Sequence, residues 1–399
     1  MQRRDFLISA AGLAALPALA VTAGQAADSA KKIRVGVIGH TGQGNFGHGL
    51  DTVWLAFPEA EIVAVADADP AGLETAKKKL KVADGFTDYR AMLASARPEF
   101  VAVGPRQVHE HCDMIVAAVE AGARGIYVEK PFVRSPAEAD QIAAACKKTG
   151  AKIAVAHRNR YHPTLVTVQK MMSDGAIGKV LEIRGRGKGD RRGGSEDLWV
   201  LGTHVLNLVS FLGGGLTACS ATVKQDGELI TKAHIKEGAE GLGPLAGNEV
   251  HARFDTKLGP IAYFDSIADD GAKNQGFGLQ VVGSEGLIDI KIDTDPLAQL
   301  AKGNPFQTAG QTRTWVPISS AGPGVPEPRA DMKTFVDRHI AAVSDLIDSV
   351  KNDREPLCGL IEATQTVEFV CAVFESHRQG GARVSLPLAE RRNPLSLLS

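Results

Sequence analysis

Apolar and polar positions follow two different rhythms along the chain. From Lys31 to about Ala156, short apolar runs alternate with longer segments of helical spacing. Ile33–Ile38, Ile62–Ala66, Phe100–Val103, Gly125–Val128 and Lys152–Ala156 read as strands. His48–Phe57, Pro70–Leu80, Asp88–Ala96, Val108–Ala121 and Ser135–Thr149 read as helices. This alternation predicts an α/β unit, a parallel sheet with helices on both faces. In such a unit the active site lies at the carboxyl ends of the strands.

After Arg158 the rhythm changes. Thr164–Asp174 reads as a helix. A series of strand-like pieces follows: Val180–Arg184, Ala218–Val223, Val250–Phe254, Ile261–Ser266, Gly278–Val282 and Leu287–Ile290. Their glycine-rich connections predict a mixed or antiparallel sheet in a second domain. Two helices, Met332–Lys351 and Leu360–Gln379, come before Val384–Pro387. Lys236–Gly247 and Lys302–Gln311 are expected to be mobile loops. The division is residues 1–30 as export signal and linker, 31–157 as a dinucleotide-binding domain, and 158–399 as a substrate and oligomerisation domain.

Composition narrows this little. The chain has 399 residues, 23% charged and 44% apolar, with a formal net charge of -1. That suits two ordinary globular domains and gives no sign of a nucleic-acid partner or an anionic membrane. The first residues change the picture more. Arg3–Arg4 precede an apolar run to about Val21, followed by small residues around Gly24–Ala27. This is the layout of a cleavable export signal of the twin-arginine type. The run is too short, and interrupted at Pro17, for an uncleaved membrane anchor, and no stable span is expected after signal cleavage. The expected location is periplasmic. Export of a folded protein suits an enzyme that takes up its cofactor before leaving the cytoplasm. Five scattered cysteines show no metal-like or redox spacing and read as buried thiols.

The first apolar strand runs into a glycine cluster: Gly39, His40, Thr41, Gly42, Gln43, Gly44. Glycine lets the backbone approach a diphosphate, and free N–H groups at a following helix N-terminus face the anion. In the usual register Gly39, Thr41 and Gly44 are the fingerprint positions, with Thr41 in place of the second glycine. A literal G-x-G-x-x-G stands at Gly42, Gly44 and Gly47. Gly39, Gly42 and Gly44 are the preferred backbone contacts. Asp67 follows the second strand, where a carboxylate accepts the ribose hydroxyls and repels a 2′-phosphate, so NAD is favoured over NADP. Tyr127-Val-Glu-Lys-Pro131 ends another strand with a charged pair. A lysine there can bond a substrate hydroxyl or the nicotinamide ribose, and serves proton transfer if burial lowers its pKa.

Two further features are weighed. Arg184–Gly194 holds five cations and five glycines. It reads as a solvated loop or as a place where Arg191, Arg192 or Lys188 meets an acidic or heavily hydroxylated sugar; it is too short for a nucleic-acid reader. His40, His48, His109 and His111 fit no usual zinc spacing, so no metal is expected.

Several of these motifs together resemble the Gfo/Idh/MocA oxidoreductases. They are the strand–glycine–Asp67 layout, Glu129-Lys130-Pro131, Arg158-Asn-Arg-Tyr-His-Pro163, Gly175-Ala-Ile-Gly-Lys-Val180, Gly283-Ser-Glu-Gly286 and Val384-Ser-Leu-Pro-Leu388. The resemblance implies an N-terminal Rossmann domain and a C-terminal α+β domain with a large, open, mostly antiparallel sheet. It implies a carbohydrate or cyclitol substrate held between that sheet and the nicotinamide, and a homodimer or homotetramer. Glu129 and Lys130 would approach nicotinamide and substrate, Pro105 and His109 would belong to a cofactor loop, and Arg158 to the substrate side. The family's Asp-x-Gly-x-His segment corresponds to Val200-Leu-Gly-Thr-His204. His204 is kept as a catalytic candidate beside Lys130, but the carboxylate is replaced by Val200. Asp197, Glu196 or Lys130 could substitute, and Asp197, one helical turn back, is the preferred choice.

The reading is an NAD-dependent oxidoreductase acting on a hydroxyl carbon of a sugar, sugar acid or cyclitol. Two alternatives remain. One is an NAD-dependent glycosidase using transient C3 oxidation. The other is a non-catalytic sugar-binding protein of the same fold.

Overall fold

The computed structural model describes residues 32–273, 275–307, 309–310 and 312–398. The proposed export segment lies outside the described residues. The first sheet is built from β1 (Ile33–Gly39), β2 (Ala60–Asp67), β3 (Gly85–Phe86), β4 (Phe100–Val103), β5 (Gly125–Val128) and β6 (Lys152–Val155), in the order β3-β2-β1-β4-β5-β6. Every pair is parallel. The strand order reverses between β1 and β4, and the crevice for a ligand opens there. β4 and β5 are buried at every position, as expected of strands covered on both faces.

The connecting helices are α1 (Pro70–Leu80), α2 (Tyr89–Ala96), α3 (Val108–Glu120) and α4 (Pro136–Thr149). Their ends follow local chemistry. Asp69 caps α1 by accepting from Gly72 N at 2.6 Å, and Ser135 caps α4 at Glu138 N, each with proline next in line. Such caps contribute about 1 kcal/mol each.

The expected helix over His48–Phe57 does not form. The chain from Thr41 to Thr52 is a series of turns, and only Val53–Ala56 makes a short 3₁₀ turn. Gly47 and Gly49 adopt φ of 62° and 97°, which a right-handed helix cannot contain. Its apolar residues are nevertheless inside: Leu50, Val53 and Trp54 are buried.

Beyond α5 (Thr164–Ser173) the second sheet begins with β7 (Val180–Arg186). A short helix α6 (Ser195–Asp197) runs through a π turn, Leu198–Gly202, into α7 (Thr203–Leu212). The strands that follow are β8 (Leu216–Gln225), β9 (Glu228–Leu229), the small hairpin of β10 (Lys236–Glu237) and β11 (Pro244–Leu245), then β12 (Glu249–Thr256) and β13 (Ile261–Ile267). Next come β14 (Gly278–Gly283), β15 (Gly286–Lys291), β16 (Ala298–Lys302), β17 (Val316–Ser319), β18 (Gly322–Pro323) and, near the end of the chain, β19 (Val384–Ser385). The large sheet orders them β18-β17-β16-β15-β14-β7-β13-β12-β8-β19, with β9 on β8. Only the β7–β13 pairing is parallel. Along β12 buried and half-exposed positions alternate strictly, so one face carries the core and the other, with Glu249, His251, Arg253 and Asp255, stays open.

The single helix expected over Met332–Lys351 is broken. α8 (Met332–Asp337) stops, His339 takes a left-handed φ of 62°, and α9 (Ile340–Asn352) resumes. α9 packs on β5 and β6, and α10 (Leu360–Arg378) packs on β8 and α4, which joins the two sheets through one hydrophobic core.

Candidate active site

β1 pairs with β2 so that Gly39 lies beside Asp67. Thr41 then folds back onto that carboxylate, giving its N–H at 2.9 Å and its hydroxyl at 2.6 Å, and Asp69 N adds a third bond at 3.0 Å. Asp67 is buried, so its visible task is to hold the glycine turn in place. The backbone supports the literal glycine pattern rather than the register that includes Thr41. Gly42, Gly44 and Gly47 all have left-handed φ, whereas Gly39 is the last residue of β1. A Cβ at Gly47 would meet the Glu129 carboxylate and lie 2.7 Å from Gly104 O, so only glycine allows this approach. Gly42 faces open space.

The other residues expected at the cofactor surround this turn. His40 Nδ1 lies 2.7 Å from Glu110 Oε1, and the His40 carbonyl accepts from Gln43 N and Asn45 N. The Pro105 carbonyl bonds His111 Nε2 at 2.7 Å, and the His109 ring lies against Gly241 of the turn between β10 and β11. Lys236–Gly247 is thus a structured hairpin resting on the first domain.

β5 ends at Val128 and delivers Glu129 and Lys130 to the crevice. A pocket of about 90 Å³ is lined by His48, Glu129, Lys130, Ala156, Arg158, Leu201, His204, Asp293 and His339. Lys130, Glu129, Arg158 and His204 were all expected at the site, and the structure brings them together. Lys130 Nζ donates to the Val200 carbonyl at 3.2 Å. At the position where the resemblance implies a carboxylate, the backbone therefore receives the ammonium. Arg158 is held by Asp293 at 2.9 Å.

The histidines are enclosed. His204 Nδ1 lies 3.4 Å from His157 Nδ1, with the rings edge to face. Burial pushes the His204 pKa well below the usual range, and the neighbouring His157, Lys130 and Arg158 push the same way. Burial and Lys130 bring His157 down to about 3, with Glu129 opposing. His339 Nδ1 meets the Tyr127 hydroxyl at 2.6 Å while Nε2 has no partner; burial lowers its pKa to about 4 against the pull of Glu129. Glu129 is the anion among them. Burial raises its pKa, but the His48 hydrogen bond and the charges of Lys130, His48 and His339 outweigh this and hold it at about 2.

Asp197 has a different place from the one expected. It is fully buried, accepts from Ser266 Oγ at 2.5 Å and Lys188 N at 3.1 Å, and does not line the pocket. Its carboxylate pins the glycine-rich run to β13, and burial raises its pKa to about 6 against the Ser266 bond. Arg191 and Arg192 do not line the pocket either. Arg192 pairs with Asp190 at 2.6 Å, Arg186 with Asp270 at 2.7 Å, and Arg191 is exposed. Arg184, Arg186 and Arg192 of the run are thus each paired with a nearby carboxylate, Glu182, Asp270 and Asp190.

His48, Asp293 and His339 were missed as site residues. His48 appeared in the sequence only as one of four histidines without a metal pattern. His339 sat inside a continuous helical pattern that gave no hint of the break. Among the described residues no group of three or more acidic, His or Cys side chains could hold a metal ion.

Residues 33–157 match the family model described as GFO_IDH_MocA, "Oxidoreductase family, NAD-binding Rossmann fold". The match spans the N-terminal domain, 125 of the 399 residues. Curated relatives include D-apiose dehydrogenase of Paraburkholderia graminis, 29% identical over 43% of this chain and 48% of that protein. Levoglucosan dehydrogenase of Pseudarthrobacter phenanthrenivorans is 23% identical over 56% of this chain and 63% of that protein. The match to these two thus spans less than two thirds of their lengths. scyllo-Inositol 2-dehydrogenase (NAD(+)) of Bacillus subtilis is 23% identical over 88% of this chain and 95% of that protein. Among solved structures, levoglucosan dehydrogenase in complex with NADH and L-sorbose superposes with a TM-score of 0.69 at 20% identity, covering 90% of this chain and 100% of that one. This establishes the fold: a Rossmann domain followed by a large, mostly antiparallel sheet.

The residues present fit a dinucleotide. The glycine turn is open at Gly42, the N–H groups of Gly44 and Phe46 have no acceptor among the described residues, and Lys130 stands at the far end of the same crevice. Gly42 to Phe46 would hold the diphosphate and the Glu129–Lys130 end the nicotinamide side.

Proposed function

We propose that the chain is an NAD-dependent oxidoreductase acting on a hydroxyl carbon of a sugar, sugar acid or cyclitol. The observation that carries this reading is the pocket at the carboxyl ends of β5 and β6, where Lys130, Arg158 and His204 converge beside the glycine turn. Three relatives that are dehydrogenases of apiose, levoglucosan and scyllo-inositol support the substrate class.

Bound NAD supplies the two-electron acceptor for a hydride. The chain's own groups do the rest. The Lys130 ammonium, already directed into the pocket by Val200 O, donates to the substrate oxygen and holds it. The Arg158 guanidinium offers a fixed fork of donors to further hydroxyls or a carboxylate. His204, kept neutral by burial, bonds a hydroxyl without adding charge. Enclosure by Leu201 and Ala156 excludes water from the reacting carbon.

The same reading includes export through the twin-arginine pathway, supported by Arg3–Arg4 before the apolar run, and a homodimer or homotetramer through the open face of the large sheet. Light scattering on the purified protein tests the assembly, and cell fractionation the location.

The chemistry is tested by following absorbance near 340 nm while sugars, uronates, cyclitols and aryl glycosides are added to protein with NAD+. Net NADH formation supports the proposal. Release of aglycone without net NADH assigns redox-neutral glycosidase chemistry instead. Sugar binding with neither signal would leave a binding protein.

A further inference from the structure

Three imidazoles line the pocket, and their surroundings sort them. His204 and His339 are enclosed; their hydrogen bonds run to His157 and the Tyr127 hydroxyl, and burial favours their neutral forms. His48 is different. Its Nδ1 lies 3.0 Å from Glu129 Oε2, and its own backbone N–H donates to the same oxygen at 3.0 Å. Ring and backbone are thus fixed by one carboxylate, and the side chain remains 47% exposed while lining the pocket. Gly47 makes the approach feasible, since any larger residue would strike that carboxylate.

The hydrogen bonding assigns the tautomer. An ionised carboxylate only accepts, so Nδ1 carries the proton and the lone pair lies on Nε2. Nε2 makes no hydrogen bond among the described residues. The charged and titratable groups facing this ring are Glu129 and Lys130 beyond β5, Arg158 after β6, His204 at the start of α7, Asp293 after β15 and His339 between α8 and α9. Of these, Glu129 alone bonds it.

Resting on the function proposed above, we infer that the His48–Glu129 pair is the proton acceptor at the carbinol, in place of the carboxylate that Val200 lacks. As the substrate C–H bond breaks, its electron pair leaves as hydride to the oxidised nicotinamide. The O–H bond breaks at the same carbinol, its proton passes to His48 Nε2, and the carbon–oxygen double bond forms. Glu129 stays ionised and stabilises the resulting imidazolium, the part a carboxylate plays beside any catalytic histidine. His204 and Lys130 hold the oxygen; they do not take the proton.

The full-length protein is tested with His48→Ala, Glu129→Gln and, for contrast, His204→Asn. The first readout needs no turnover. Imidazole ¹⁵N spectra of the wild type should show the neutral His48 ring protonated at Nδ1, with that preference lost in Glu129→Gln. The second is NAD+ reduction with D-apiose, levoglucosan and scyllo-inositol. His48→Ala should lose about 10²-fold or more in rate, with NAD+ affinity by fluorescence within about three-fold, and added imidazole should restore about ten-fold of the loss. His48 protonated at Nε2, a rate within about three-fold of wild type, or imidazole rescue of His204→Asn instead of His48→Ala overturns the assignment alone. A wild type that binds NAD+ and oxidises none of the probes overturns the function above and this assignment together.

Discussion

The ammonium of Lys130 is bonded to the backbone carbonyl of Val200, 3.2 Å away, at the position where a carboxylate was implied. The π turn over Leu198–Gly202 presents this carbonyl, and Val200 itself is buried. Restoring the acid by Val200→Asp places a negative charge beside Lys130 and His204. The His204 pKa should rise, because an opposite charge favours the imidazolium. Histidine NMR titration reads this directly; an unmoved His204 resonance would show that residue 200 does not face the pocket. Lys130→Met should lower the rate of NAD+ reduction by about 10²-fold or more, with the fold retained on thermal melting.

Burial of three neutral imidazoles makes acid costly. His157 at about 3 and His339 at about 4 lie below their ordinary range, as does His204. A depressed histidine pKa means the unfolded chain binds more protons, so stability is full above about pH 6.5 and falls as pH drops toward the folded values. At pH 5 the loss is about 2 kcal/mol for each of His157 and His339. His251, raised by Glu249 and Asp265 despite its partial burial, offsets a small part. Denaturant unfolding at pH 7.5 and pH 5 checks this. His157→Asn should flatten the pH slope, and an unchanged slope would count against the buried-neutral assignment.

Gly47 and Gly42 separate packing from backbone strain. Both have positive φ, but a Cβ at 47 meets Glu129 and Gly104 whereas one at 42 meets nothing. Gly42→Ala should cost about 1 kcal/mol, the left-handed penalty alone. Gly47→Ala should cost about 3 kcal/mol and displace His48 from Glu129. Paired unfolding curves decide, and equal costs would refute the close packing.

Asp197 should behave as a structural residue. Asp197→Ala leaves the Ser266 hydroxyl and Lys188 N–H buried without their acceptor, costing about 2–4 kcal/mol. The rate of NAD+ reduction per folded molecule should stay within about three-fold; a loss of two orders of magnitude, with the fold intact, would return Asp197 to the chemistry.

The parallel sheet was legible because β4 and β5 are apolar without a break, a pattern that burial on both faces imposes. β12 and β13 were legible by their alternation. The site was legible where a residue sits at a strand end, as Glu129 and Lys130 do. It was not legible where tertiary contacts override local periodicity. The glycines at 47 and 49 turned an apolar pattern into a chain of turns, and the Tyr127 hydroxyl fixed His339 at a break in helical sequence. Asp197 looked catalytic by spacing from His204, but the bonds that claim it come from β13 and from the loop after β7, 69 residues and 9 residues away.

The pocket wall is drawn from residues 48, 129, 130, 156, 158, 201, 204, 293 and 339. During synthesis the first domain emerges complete long before His339 leaves the ribosome, and domains fold in that order. Such a nascent chain has its glycine turn and its Lys130, but its reaction chamber still lacks a side. Cofactor capture and competence for reaction therefore become separate events in the life of the molecule. The second waits for His339 to join the wall.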